Sequence, residues 1–314
     1  MSVVDNPMLI TALLVLDRPI GFDALVARLE DRLSRHPRFR QVVIEPRLGL
    51  GMPHWRDDPS FDVQHHVHHV DLSLMPGAPA LDEVASDIAT IPLGRRRPLW
   101  RVHLIDGREP AIMMVVHHVL ADGSALLALL REIVDEESPA PEDEDRSTTL
   151  RGRAWNVATG ALAAVKLAAR RADPMTRLKG PMGERKQLAF SSSLSLEHVR
   201  DVAHAMHTTV TGLLLAAVTG ACRAELSRNG SADGLVLHAL VPMSLDARGL
   251  GNHYGSALVA LPVGIADLAS RVREVRSATR VLRSRRAGRA GARLAAAAGA
   301  LSAVVERAGI AFLS

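Results

Sequence analysis

Aromatic side chains are scarce: Phe, Trp and Tyr together make up 3% of the 314 residues. A core must therefore be packed from Ala, Leu and Val, and a nucleic-acid platform of stacked aromatics is excluded. Cysteine is nearly absent. The single Cys222 rules out a disulfide framework and any Cys-rich zinc site, and reads as a small buried residue inside an apolar helix. No run of about 18 uninterrupted apolar residues occurs, so no membrane span is expected. The opening Met1-Ser2-Val3-Val4-Asp5 has neither the basic flank nor the apolar centre of a secretory signal, which points to a cytoplasmic protein. No Gly-x-Ser-x-Gly elbow is present, which argues against a serine lipase. Gly49-x-Gly51 and Gly249-x-Gly251 lack the strand–turn–helix frame of a dinucleotide site.

Hydrophobic residues at 47% and charged residues at 23% are the balance of a chain that folds around a core. The length suggests two domains, or one large domain in two halves. The net charge of +4 is unevenly spread. Residues 132–145 (EIVDEESPAPEDED) are acidic and without apolar periodicity, and form an exposed connector. Residues 271–293 hold nine arginines against one glutamate. An acid block of this size does not suit a nucleic-acid-binding chain, so no nucleic-acid partner is expected. The division expected is 1–137 for an amino-terminal lobe, 138–185 for a connector and crossover helix, and 186–314 for a second lobe.

Within the first lobe, 8–16 (MLITALLVL) reads as a strand buried on both faces. Phe22, Leu25, Val26, Leu29 and Leu33 recur at helical spacing up to His36-Pro37. Further strands are expected at 39–45, 62–72, 100–105 and 111–117, the last two joined by an Asp106-Gly107 turn. Residues 46–61 read as a loop, and helices are expected at 80–91 and 124–136. The second half reads as a helix at 150–172, a strand near 186–191, helices at 195–206 and 209–227, strands at 235–242 and 256–263, and helical segments beyond. The fold class is mixed α/β.

Chemistry concentrates in Ala111–Ser124 (AIMMVVHHVLADGS). An apolar strand runs into His117 and His118, and a short turn holds Asp122 and Gly123. Ser124 is placed to cap the next helix. Adjacent strand residues point to opposite faces, so one histidine faces a given cleft. An imidazole at the mouth of a sheet suits removal of a proton from a hydroxyl. Asp122 can orient the loop or pair with an arginine. Gly123 permits a positive φ or close approach of the backbone to a ligand. Two structural histidines at a strand end are the plainer alternative.

The His-His-x-x-x-Asp-Gly arrangement is similar to the signature of the chloramphenicol-acetyltransferase-like acyltransferases. Over nearly its whole length the chain resembles the bacterial wax ester synthase/diacylglycerol acyltransferase family. The resembling pieces are Asn6-Pro7-Met8, His36-Pro37-Arg38-Phe39-Arg40-Gln41, Phe61-Asp62, Pro92-Leu93, Arg97-Pro98-Leu99-Trp100, His117-His118 with Asp122-Gly123, Val241-Pro242-Met243-Ser244-Leu245, Gly251-Asn252 and Leu261-Pro262-Val263. The resemblance implies a two-lobed acyltransferase fold that moves a fatty acyl group from acyl-CoA to a long-chain alcohol or a diacylglycerol. It implies His118 as general base, with His117, Asp122 and Gly123 shaping its loop. Pro98, Leu99, Trp100 and Asn252 would lie on the substrate side, Pro98–Trp100 supporting a tunnel wall or the packing between halves. Acyl-CoA would be a co-substrate, with no cofactor and no metal.

Two departures accompany the likeness. Thr209-Val210 is followed by Thr211-Gly212 where the family usually has Asn-Asp, and the chain ends before a Thr-Asn-Val-Pro-Gly-Pro strand, as a shortened member would. Two other functions stand beside the first: a superfamily member with another acceptor hydroxyl or carrier-bound thioesters, and a remnant that binds lipid or acyl-CoA without turnover. His65, His66, His68 and His69 include a pair at zinc-chelating spacing, but no third ligand accompanies them and an ordinary strand is expected. The arginines of 271–293 read as a solvated helix face, with anionic lipid or coenzyme A phosphates as the alternative. The basic amphipathic helix at 150–172 reads as packing between halves, or as a contact with the inner membrane face or a lipid droplet.

Overall fold

A computed structural model of the chain describes residues 8–45, 53–73, 77, 79–134, 173–180, 183, 185–228, 230–244 and 254–280. The described residues fall into two compact units. The first holds those within 8–134 and 183–190, and the second those within 173–180, 191–244 and 254–280. The acidic connector beyond Val134, the 150–172 helix, Asn252 and the arginines past Arg280 lie outside the described residues.

The first unit is built on a four-stranded sheet in the order β1 (Leu9–Val15), β6 (Ala111–His117), β5 (Trp100–Asp106), β4 (Val67–Asp71). β6 is antiparallel to both neighbours, and β4 runs parallel to β5. β5 and β6 are apolar on both faces because helices cover both. On one side Trp100, Val102, Leu104, Ile112, Met114 and Val116 meet Leu25, Val26, Leu29 and Leu33 of α1 (Phe22–Leu33) and Leu126, Leu129 and Leu130 of α3 (Gly123–Ile133). On the other side Ile105, Ala111, Met113 and Val115 meet Val84, Ala85, Ile88 and Ala89 of α2 (Leu81–Thr90). Each fully buried Leu or Ile contributes about 2 kcal/mol, so α1 is held by its four-residue stripe rather than by a cap; its N-cap Gly21 makes no side-chain bond.

Several expectations are corrected here. β1 is half-buried rather than buried on both faces, because it lies at one edge of the sheet among the described residues. Phe39 does not start a strand: Pro37–Arg40 is a 3-10 turn that drives Phe39 into the core at 0% exposure. The expected loop at 46–61 contains β3 (His54–Asp57), which pairs antiparallel with β2 (Gln41–Ile44). Residues 62–72 divide into a 3-10 turn at Val63–His66, capped by Asp62, and then β4. The stretch near 186–191 is extended but joins no sheet. Its amides bond to hydroxyls of α2 instead, Lys186 N–H to Thr90 Oγ1 (2.9 Å) and Leu188 N–H to Ser86 Oγ (2.8 Å). Two hydroxyls one helical turn apart thus take the place of a strand edge.

The second unit pairs β7 (Leu237–Ser244) with β8 (Tyr254–Leu261) in an antiparallel hairpin. Leu237, Val259 and Leu261 meet Leu226 of α5 (Val210–Ser227), with Cys222 packed alongside. Ser195 caps α4 (Leu196–Ala205), Thr209 caps α5, and Asp267 caps α6 (Leu268–Ala278). Thr209 Oγ1 accepts the Gly212 N–H at 3.1 Å, and a Cβ at Gly212 would stand 2.4 Å from Thr208 Oγ1. The residue after Thr211 is therefore held to glycine by its own neighbour. Arg271 bonds the carbonyls of Ile265 and Ala266 and lies over Gly220, so the first arginine of the basic run is a packing residue. By length and mean hydropathy (1.2 over 18 residues) α5 would suffice to cross a membrane. Its Arg223 is bonded to the carbonyls of Val263 and Gly264 and to Asp233.

Candidate active site

The two central histidines sit where β6 ends, and their backbone is tied on both sides. His117 N–H donates to Leu99 O (2.9 Å), just before β5, and His118 N–H donates to Met8 O (2.8 Å), just before β1. Leu120 N–H then closes a turn onto His117 O at 2.9 Å. Asp122 is 3% exposed, and its Oδ1 accepts the Ala125 N–H at 2.9 Å while its carbonyl accepts the Leu126 N–H. Asp122, not Ser124, is thus the cap of α3. A buried carboxylate at a helix N-terminus also meets the positive end of the helix dipole. Gly123 does not adopt a positive φ; a Cβ there would meet nothing within 4 Å, so the space beside it is open.

The His117 ring is tied into the turn that follows it. Val119 N–H donates to His117 Nδ1 (3.2 Å), so the lone pair on that nitrogen is engaged and the ring proton belongs on Nε2. Burial, with nearby positive charge that includes His118 and Arg95, pushes the His117 pKa down to about 4. His117 is therefore a neutral, structurally committed ring at pH 7. His118, one residue on, is partly exposed in the turn.

Met8 is bound up in the same arrangement. Its φ of +54° lies in the left-handed region, which costs a non-glycine residue about 1–2 kcal/mol. The other left-handed non-glycine residue among those described, His207, is explained by helix termination after α4. Met8 ends no helix. It is 39% exposed, and Val119 on the other flank of His118 is 41% exposed. Sequence reasoning placed Met8 at the start of the strand and in the resembling Asn6-Pro7-Met8 piece, and its residue type did not announce its conformation.

Pro98, Leu99 and Trp100 are all buried. Trp100, at 1% exposure, donates its indole N–H to Phe39 O (2.8 Å), and the His66 ring stacks on it at 4.4 Å while His66 Nδ1 donates to Trp100 O. This motif reaches the histidine turn through the Leu99 carbonyl rather than through an exposed side chain. Asn252 lies outside the described residues.

The four clustered histidines have separate partners. His66 serves Trp100, His69 pairs with Asp106 (2.6 Å), and His68 lies against His103 of β5 with ring centroids 4.9 Å apart. No group of three metal-ligating side chains occurs among the described residues. Arg101 binds the carbonyls of Ile88 (2.7 Å), Ile91 and Pro92 (3.0 Å), which closes the C-terminus of α2. His103 is 8% exposed, and neither ring nitrogen has a hydrogen-bond partner. Burial, then His68 and Arg101, lowers its pKa to about 4. In the second unit, Asp173 holds His238 twice, through the ring at Nδ1 (2.6 Å) and the backbone N–H (2.8 Å).

Comparison with known proteins places this geometry. Residues 1–154 match the wax ester synthase/diacylglycerol acyltransferase catalytic domain. A diacylglycerol O-acyltransferase of Mycobacterium tuberculosis is 27% identical over 293 residues, covering 82% of this chain and 58% of that protein. A second M. tuberculosis diacylglycerol O-acyltransferase is 35% identical over 174 residues, covering 50% of this chain and 64% of that protein. The chain thus spans about three-fifths of the length of these curated relatives. Among solved structures, the wax ester synthase/diacylglycerol acyltransferase of Marinobacter aquaeolei VT8 superposes with a TM-score of 0.60 at 24% identity, covering 94% of this chain and 72% of that one. A condensation domain of the calcium-dependent antibiotic synthetase gives 0.63 at 19% identity, covering 89% and 70%. The fold is the mixed α/β one of the chloramphenicol-acetyltransferase-like group. The matched residues run past the histidine turn and α3, so the candidate site lies in the part of the chain that is similar to the wax ester synthase/diacylglycerol acyltransferase catalytic domain.

Proposed function

We propose that the chain carries acyl transfer from a fatty acyl-CoA to the hydroxyl of a long-chain alcohol or a diacylglycerol, with His118 as general base. The observation that carries the choice of base is the Val119 N–H on His117 Nδ1. That bond commits one nitrogen of the His117 ring to shaping the turn, and we assign proton removal to the second histidine of the His-His-x-x-x-Asp-Gly arrangement, His118, which is partly exposed there.

The chemistry asks little of the protein beyond position. A thioester is already activated, so holding hydroxyl and carbonyl in reach supplies much of the rate. The His118 imidazole accepts the hydroxyl proton as that oxygen attacks the thioester carbonyl. The C–O bond forms, the carbonyl becomes an oxyanion, and its collapse breaks the C–S bond. Coenzyme A leaves as the thiolate and takes the proton back from His118, so an ester and a free thiol result and the ring is restored. Asp122 holds the turn through its cap on α3, and the Met8 and Leu99 carbonyls fix the backbone of both histidines. Both lipid substrates partition into bilayers, so we place the reaction at the cytoplasmic side of a membrane or on a lipid droplet.

The test is incubation with palmitoyl-CoA and hexadecanol, or a diacylglycerol, measuring ester and free thiol together. His118→Ala should lose at least a hundredfold in kcat, the span of general-base catalysis. His117→Asn, which keeps an acceptor for Val119, should retain far more. Full activity in His118→Ala contradicts the assignment.

A further inference from the structure

The Leu99–Trp100 peptide stands between two hydrogen bonds at the start of the histidine turn. Its N–H donates to Pro98 O (2.8 Å), and its carbonyl, Leu99 O, accepts the His117 N–H (2.9 Å). The first of these closes over three residues, as in a γ-turn, so the orientation of the peptide plane rests on what holds Trp100. The pairing of β4 with β5 begins at Val67 and Val102. The Trp100 carbonyl lies before that ladder, and the His66 side chain supplies the donor there, Nδ1–H to Trp100 O at 2.8 Å. The same ring stacks on the indole, with centroids 4.4 Å and planes 14° apart, and Phe61 lies against it at 5.7 Å. The indole N–H is held in turn by Phe39 O (2.8 Å).

His66 is 3% exposed, and burial lowers its pKa against the opposing pull of the Trp100 carbonyl. A carbonyl only accepts, so the proton of the neutral ring sits on Nδ1. Trp100 is thereby fixed at its backbone and at its side chain. Rotation about its φ, which would swing the Leu99 carbonyl away from His117, is blocked. We propose that His66 is a positioning residue for the reaction, setting the Leu99–Trp100 peptide and through it the backbone of His117 and the turn that carries His118. The inference rests on the acyl-transfer reading.

His66→Phe keeps a flat ring on Trp100 and removes the donor. His66→Asn gives up the stack but carries an amide N–H near the position of Nδ1, and His66→Gln carries it one bond further out. With palmitoyl-CoA and hexadecanol, kcat per folded molecule should fall about tenfold in His66→Phe and in His66→Gln, because a base displaced by less than about 1 Å already loses this much. KM for both substrates should stay within about twofold, since the loss falls on the transition state. His66→Asn, with the donor restored, should keep kcat within about threefold of the wild type. Amide exchange reads the same coupling without turnover. The His117 N–H should exchange about tenfold faster in His66→Phe while the Leu126 N–H of α3 is unchanged. Full kcat in His66→Phe overturns the inference. Should that variant not fold, the other two decide, and equal kcat in His66→Asn and His66→Gln overturns it. Should the wild type form no ester, the acyl-transfer reading falls separately and exchange judges His66: a faster His117 amide upholds its hold on the turn, and an equal rate overturns it.

Discussion

Replacing His103 with leucine should make the first unit more stable at neutral pH and less sensitive to acid. The ring is 8% exposed between β5 and α2, with both nitrogens lacking a hydrogen-bond partner. An unmet buried polar group costs about 1–3 kcal/mol. Leucine is of similar volume and has nothing to satisfy, so His103→Leu should gain on that order at pH 7. The acid limb follows from the pKa of about 4 in the fold against 6.5 for the free side chain. The unfolded chain binds the proton first, so stability is full above pH 6.5 and is lost as pH falls toward 4. The whole difference is about 3 kcal/mol, of which about 2 kcal/mol disappears between pH 7 and pH 5. Leucine removes that share and leaves whatever His117 and the other histidines contribute. Amide hydrogen exchange of the β5 and β6 backbone reports opening of this unit directly. A His103→Leu protein destabilised by more than about 1 kcal/mol at pH 7, or losing stability from pH 7 to 5 as steeply as the wild type, would refute the reasoning.

Asp122→Ala removes the buried cap on Ala125 N–H and should cost about 2 kcal/mol, seen as a lower denaturation midpoint. Asp122→Asn keeps an acceptor oxygen and should cost less than half of that; equal losses would deny the capping role. Combining Ser86→Ala with Thr90→Val removes both hydroxyl acceptors from the extended segment. The amides of Lys186 and Leu188 should then exchange at least tenfold faster while those of α2 change little, and unchanged protection would show that packing of Leu188 alone holds it.

The histidine turn was legible because several local signals coincide there. An apolar run changes to two imidazoles, and Asp-Gly precedes an amphipathic stretch; the cap expected at Ser124 is supplied instead by Asp122, two residues earlier. The β5–β6 hairpin and α1 were readable for the same reason, a period of 2 or 3.6 with a turn or breaker at its end. The segment Val63–Asp71 misled because a run of alternating valines and histidines does not reveal where a 3-10 turn gives way to a strand. Likewise 186–191 has the composition of a strand, but its partners are two hydroxyls on a helix about a hundred residues earlier.

What composition and order determined by themselves was therefore the local script: an aliphatic core, the class of the fold, and the place of the double histidine in a stretch similar to a known catalytic domain. Tertiary structure alone decided the rest. It tied the His117 ring to Val119 N–H, sank Trp100 between Phe39 and His66, buried both ring nitrogens of His103 without a hydrogen-bond partner, and held Met8 in a backbone its side chain disfavours. Each of these depends on groups distant in the chain or on a geometry that residue type does not encode, because burial, hydrogen-bond partnership and imposed φ are set by what the rest of the fold brings alongside.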